Sequence, residues 1–149
     1  MDAIKKILVP VDLSNSSELV FSTACQVATQ LDANLIVMHA VIMSAVALPL
    51  EGQAVYSEEM IEELMIESKE SLANFLTINN KTAIPITEYV CLGEPTIEIN
   101  KYAEENGLDL IIMGTHGRTG LSHLLMGSVA EYVLRHSKIP VMSVPYNKI

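Results

Sequence analysis

Four of the chain's seven glycines, Gly114, Gly117, Gly120 and Gly127, fall within fourteen residues, and Ser128 follows the last of them. Glycine tolerates positive φ and lets the backbone approach an anion closely, so successive N–H groups can turn inward. Ser128 begins a stretch with helical patterning, and the free N–H groups and positive dipole end of a helix start favour phosphate. Met113, Thr115 and His116 border the first glycines, and Arg118 lies inside the loop. The chemistry offered is an anion cradle. Charge-assisted hydrogen bonds contribute about 1.5–3 kcal/mol each, so four of them reach micromolar affinity, about 8 kcal/mol, after association costs. The plainer reading makes Ser128 and Glu131 a capping box and the glycines a flexible turn. The two readings are compatible at Ser128.

Generic motifs leave the anion unnamed. No Gly-Lys-Ser/Thr occurs anywhere, and no G-x-G-x-x-G follows the first apolar run. Turnover of a phosphate ester needs a placed base or nucleophile, for which His116 and Asp12 are the obvious candidates. Ser14, His116 and Asp12 make a triad on paper, but no G-x-S-x-G elbow is present. His39, His123 and His136 show no metal-ligand spacing and read as ordinary strand or helix residues, His136 at a helix C-terminus. The methionines of the stretch after Ser57 sit at helical spacing and read as core.

Nine Lys and Arg against eighteen Asp and Glu give a formal net charge of −9. A basic footprint for nucleic acid or anionic lipid is therefore missing, and an anion must be held by local geometry. Half the residues are apolar and 18% are charged, which suits a sheet covered on both faces. Cys25 and Cys91 form no CxxC pair and read as reduced thiols. The start of the chain carries no leader pattern, from which a cytoplasmic location is expected. The apolar stretch 33–50 contains His39, Ser44 and Pro49 and fits a buried strand better than a spanning helix.

The elements that must position the cradle follow from periodicity. Ile7 to Val11 and Leu35 to Met38 are continuous apolar runs, the pattern of central parallel strands. Between them Leu19, Val20, Ala24, Val27, Ala28 and Leu31 mark one helical face, with Asn15 and Glu18 as a capping pair. Ser57-Glu58-Glu59 caps a second helix carrying Met60, Ile61, Leu64, Met65, Leu72, Phe75 and Leu76. Pro85 to Cys91 alternates, the mark of a strand nearer the sheet edge. Gly93-Glu94-Pro95 opens a third helix that stops at Asn106-Gly107. Leu108 to Met113, a helix from Ser128 to His136, and a last strand from Pro140 to Pro145 complete the chain. This order predicts an α/β fold, one domain spanning 1–149: a doubly wound five-stranded parallel sheet, Rossmann-like, with helices on both faces. Such sheets bind ligands beyond the C-terminal strand ends where strand order reverses. The apolar connection 42–56 is long for such a fold and either simply packs on it, covers the site as a flap or packs on a partner subunit.

Gly114-x2-Gly117-x9-Gly127-Ser128, with Asp109 to Met113 before it and Val129 to Val141 after it, resembles the ATP-binding branch of the universal stress protein family. Ile7 to Asp12 and Met38-His39-Ala40 are similar to that family's first two strand ends, so the resemblance spans essentially the whole chain. It implies the adenine nucleotide α-hydrolase-like form of the fold and ATP with Mg²⁺ as ligand. Pro10, Val11, Asp12 and Ala40 would then receive adenine and ribose. Met113, Gly114, Thr115, His116, Gly117, Arg118, Gly120, Gly127, Ser128 and Val129 would line the phosphate end, and Asp12 would reach the metal. Ala40 replaces a larger aliphatic residue common in the family. The resemblance also implies a homodimer through Val141, Met142, Ser143 and Val144, an edge strand bracketed by Pro140 and Pro145. The first strand lacks the Ser-Gly-Gly and His-x-Gly-His motifs of related nucleotide-converting folds. The expected role is an adenine-nucleotide-dependent stress-response regulator with slow or absent hydrolysis, without nucleic-acid or membrane partners. The alternative is a weak Mg²⁺-dependent ATPase or phosphotransferase.

Overall fold

Period-two alternation inside the apolar runs decides the architecture. The computed structural model describes residues 2–43, 48–50, 53–116 and 126–146. Strands β1 (Lys6–Pro10), β2 (Asn34–Val41), β5 (Ile86–Leu92), β6 (Leu110–Gly114) and β7 (Val141–Val144) alternate with helices α1 (Asn15–Leu31), α2 (Glu58–Asn79), α3 (Pro95–Glu105) and α4 (Ser128–His136). Two short strands, β3 (Leu48–Leu50) and β4 (Gln53–Val55), lie between β2 and α2. The five longer-range strands form one parallel sheet in the order β5-β2-β1-β6-β7.

Successive strand side chains point to opposite faces, so each central strand feeds two cores. Ile7, Val9, Leu35, Val37, Leu110 and Ile112 pack on Val20, Phe21 and Ala24 of α1 and Leu72 and Leu76 of α2. Their neighbours Leu8, Met38, Ile111 and Met113 pack on Ile99 and Ala103 of α3 and Ala130 and Val133 of α4. Burial on both faces is why these strands read as unbroken apolar runs. Phe21 and Phe75 meet edge to face at 5.7 Å and join α1 to α2.

Several local signals act as their chemistry dictates. Ser57 caps α2 by accepting from the Met60 amide at 3.1 Å, and Pro95 occupies the first turn of α3. Gly107, at φ 59°, ends α3 in the left-handed region that glycine enters without a Cβ penalty. Cys25 and Cys91 are buried free thiols. Among the described residues, no helix is long and apolar enough to cross a membrane.

Three local expectations are corrected. Asn15 and Glu18 do not form a capping pair: Ser14 is the N-cap of α1 and makes no side-chain cap bond, because its hydroxyl turns back to Asp12. Ser128 and Glu131 do not form a capping box either. Gly127 is the N-cap of α4, and the Glu131 carboxylate pairs with Arg135 one turn on, at 3.0 Å. The connection 42–56 is not simply irregular, since β3 and β4 pair as an antiparallel hairpin with Leu48 opposite Val55. Pro49 masked that strand pattern, yet proline is tolerated in a sheet edge.

Candidate functional site

A crevice opens where the sheet's central ladder stops. β1 pairs with β2 over five positions but with β6 over only two, ending at Leu8 opposite Ile111. Proline supplies the reason. The Lys5 carbonyl and the Val11 amide bond to β2, so by alternation Lys6, Leu8 and Pro10 turn their backbone groups toward β6. Pro10 has no N–H to give, and the strands part beyond it. The point where they part is also where strand order reverses, the position at which open α/β sheets bind ligands.

The cavity there measures about 560 Å³, within the range of small-molecule sites. Every described residue that the resemblance assigns to the nucleotide lines it: Pro10, Val11, Asp12, Ala40, Met113, Gly114, Thr115, His116, Gly127, Ser128 and Val129. Gly117, Arg118, Gly120 and His123 lie outside the described residues.

On the β1 side Asp12 is held by the first turn of α1. Its Oδ1 accepts from the Ser14 amide at 3.0 Å, the Ser14 hydroxyl at 2.5 Å and the Ser17 hydroxyl at 2.9 Å. Ser14 and Ser16 share a hydroxyl contact at 2.9 Å, and Ser16 donates to the His116 carbonyl at 3.3 Å, joining this turn to the end of β6. The His39 ring donates from Nδ1 to the Val11 carbonyl at 2.9 Å. His39 is thus more than an ordinary strand residue: it fixes the backbone just before Asp12.

On the β6 side Thr115 donates its amide to Val144 and accepts from the Gly127 amide at 2.7 Å, which seats the N-terminus of α4 against the strand end. Ser128, Val129 and Ala130 line the cavity, and first-turn amides of a helix have no intrahelical acceptor. The His116 ring contacts Thr115 Oγ1 through Nδ1 at 2.8 Å. No contact joins it to Ser14 among the described residues, so the paper triad is not assembled.

The role expected for glycine changes at the two described cradle positions. Among the described residues only Gly93 and Gly107 have positive φ as glycines, and Gly127 is extended at φ −61°. At Gly114 closeness is the requirement, because a Cβ would stand 3.1 Å from Val20 Cγ2 and 3.4 Å from the His116 carbonyl oxygen.

Sequence reasoning missed the far wall, formed by Leu64, Glu67, Ser68 and Ser71 of α2 and by Ser16, Ser17 and Val20 of α1. A signal was present in part, since Ser68 interrupts the apolar stripe one turn after Leu64 and is buried. Cys91, paired with Ala40 across the sheet, is no nucleophile at neutral pH. Burial, then the Glu98 carboxylate, push its thiol up to about 11 against a smaller opposing pull from Lys101. Among the described residues no three His, Cys, Asp or Glu side chains gather to hold a metal.

Comparison with known proteins gives the same picture throughout the chain. The universal stress protein family model matches residues 3–145. Universal stress protein MJ0531 of Methanocaldococcus jannaschii is 37% identical over 142 residues, covering 94% of this chain and 81% of that protein. The solved structure of MJ0577 from the same archaeon aligns with a TM-score of 0.84 at 30% identity, covering 99% of this chain and all of that one. A universal stress protein from Archaeoglobus fulgidus, solved in complex with dAMP, aligns with a TM-score of 0.65 at 27% identity over 95% of this chain and 98% of its own.

Proposed function

The chain belongs to the universal stress protein family, and on that premise we propose that the crevice holds an adenine nucleotide, ATP with Mg²⁺, as a regulatory signal in a stress response. The observation that carries this is the position of the cavity: it opens at the sheet's reversal point, with an oriented carboxylate on one side and the N-terminus of α4 on the other. A relative with the same fold has been solved with dAMP. In this reading Pro10, Val11 and Ala40 contact adenine, Asp12 contacts ribose, and Gly114, Gly117, Arg118, Gly127, Ser128 and Val129 surround the phosphates.

Magnesium suits the donor set. Mg²⁺ is commonly held by one or two carboxylates together with substrate phosphates and waters, and Asp12 lines the crevice with Glu67 on the far wall. Its chemistry when bound is to neutralise phosphate charge. The chain's own residues bind and orient. Thr115 holds His116 through Nδ1, no contact joins the ring to Ser14 among the described residues, and in this reading retention of the nucleotide outweighs turnover. The subunits pair through β7, an edge strand whose Met142 is exposed, as a homodimer in the cytoplasm.

Calorimetry with ATP and Mg²⁺, followed by long incubation assayed for ADP and by sedimentation, tests the reading. Micromolar binding, negligible ADP and a dimer are expected. Absence of binding to any adenine nucleotide sinks it. Steady turnover abolished by Asp12→Ala or His116→Ala replaces it with the ATPase or phosphotransferase.

A further inference from the structure

Ser17 is 3% exposed although its side chain is polar, and its hydroxyl donates to Asp12 Oδ1 at 2.9 Å. Buried hydroxyls are kept where they have work as donors or acceptors, since an unpaired one costs about 1–3 kcal/mol. Nothing in helix formation asks for this serine. It lies in the first turn of α1, whose N-cap is Ser14, and alanine has the higher helix propensity. The same Oδ1 also receives the Ser14 amide and hydroxyl. Those two donors come from the loop that carries Asp12 itself, two residues away. Ser17 ties the carboxylate directly into the first turn of the helix, which is anchored through Val20, Phe21 and Ala24 in the core.

We propose that Ser17 is a positioning residue for nucleotide binding: it locks the Asp12 carboxylate to the rigid body of α1 so that the ligand meets it already oriented. The inference rests on the reading of the crevice as a nucleotide site. Preorganisation of a charged group raises affinity because the cost of ordering it is met before the ligand arrives. With the Ser17 tie removed, the carboxylate keeps the N-cap donors of Ser14 but loses its hold on the first helical turn, and each encounter must order it again.

The test is a double-mutant cycle read by ATP·Mg²⁺ calorimetry on the full chain, with thermal melting of each protein alongside. Ser17→Ala is expected to melt like the wild type and to bind about tenfold more weakly, and to cause less than a twofold further loss in an Asp12→Ala background. Unchanged affinity in Ser17→Ala, or the same tenfold loss with Asp12 already absent, overturns the proposal. Ser17→Thr and Ser17→Val, equal in shape and different in the hydroxyl, provide a second comparison. The threonine protein is expected to bind about tenfold more tightly than the valine protein, and equal affinities refute it. Failure of the wild-type chain to bind nucleotide would instead strike the functional reading.

Discussion

Gly114→Ala sets two known effects against each other, and the structure decides between them. Replacing glycine by alanine at a compatible backbone position stabilises a protein by about 0.4–1 kcal/mol through the unfolded chain. The backbone at Gly114 is compatible, because the positive-φ glycines among the described residues are Gly93 and Gly107. The new methyl, however, would stand 3.1 Å from Val20 Cγ2, and Val20 is 4% exposed within the α1 core. Overpacking of that kind costs about 1–3 kcal/mol, so the net expectation is a loss of about 1 kcal/mol. For a chain of 149 residues that lowers Tm by roughly 3 °C. Chemical denaturation of four proteins, wild type, Gly114→Ala, Val20→Ala and the double variant, isolates the contact. Shortening Val20 removes the clash, so alanine at 114 becomes neutral or stabilising by about 0.5 kcal/mol in that background. A Gly114→Ala cost that is the same whether or not Val20 is shortened would refute the steric argument and return the glycine to a purely conformational role.

The buried thiols give a second expectation. Burial and the Glu98 carboxylate push the Cys91 thiol up to about 11 and Cys25 is also raised, chiefly by burial, so native protein at pH 8 is expected to resist iodoacetamide while urea-unfolded protein labels at both positions. Between the ordinary thiol value of about 8.5 and about 11 the unfolded state releases the Cys91 proton first, so urea midpoints fall as pH rises through that window. Asp109 behaves in the opposite sense. The Lys5 and Lys6 amides, each 2.9 Å from its carboxylate, hold it below the usual aspartate value. Its stabilising effect is present above about pH 4 and is lost as pH falls through the folded value. Asp109→Asn is expected to flatten the urea midpoint between pH 5 and pH 3, and an unchanged slope would contradict that assignment.

Much of the architecture was legible because it rests on burial. Ile7 to Val9, Leu35 to Met38 and Leu110 to Met113 are apolar without interruption, and only a sheet covered on both faces asks for that. Punctuation was equally legible where one residue has one physical reason, as at Pro95, Gly107 and Ser57. Pairings that depend on three dimensions were not. Nothing near Ser14 in sequence distinguishes a cap from a hydroxyl turned back to Asp12, and Glu131 had Arg135 as a competing partner. The hairpin of β3 and β4 was hidden because its strands are three residues each and one contains Pro49. At the site, the glycine spacing located the crevice, while the walls supplied by α2 became visible only once that helix was docked.

The short ladder between β1 and β6 also has a mechanical meaning. β2 meets β5 over seven positions and β1 over five, while the central pair shares two. The sheet therefore contains a seam, with β5, β2 and β1 on one flank and β6 and β7 on the other. α1 reaches across it, packing on strands of both flanks, and Ser16 adds a stitch at the His116 carbonyl. The crevice is lined from both flanks, by Pro10, Val11 and Asp12 on one and by Met113, Gly114 and Thr115 on the other, so an occupant that spans it would act as a rivet. A ligand that bridges them is expected to stiffen the two flanks together, and slower amide exchange along the seam on binding is the measurement that checks it.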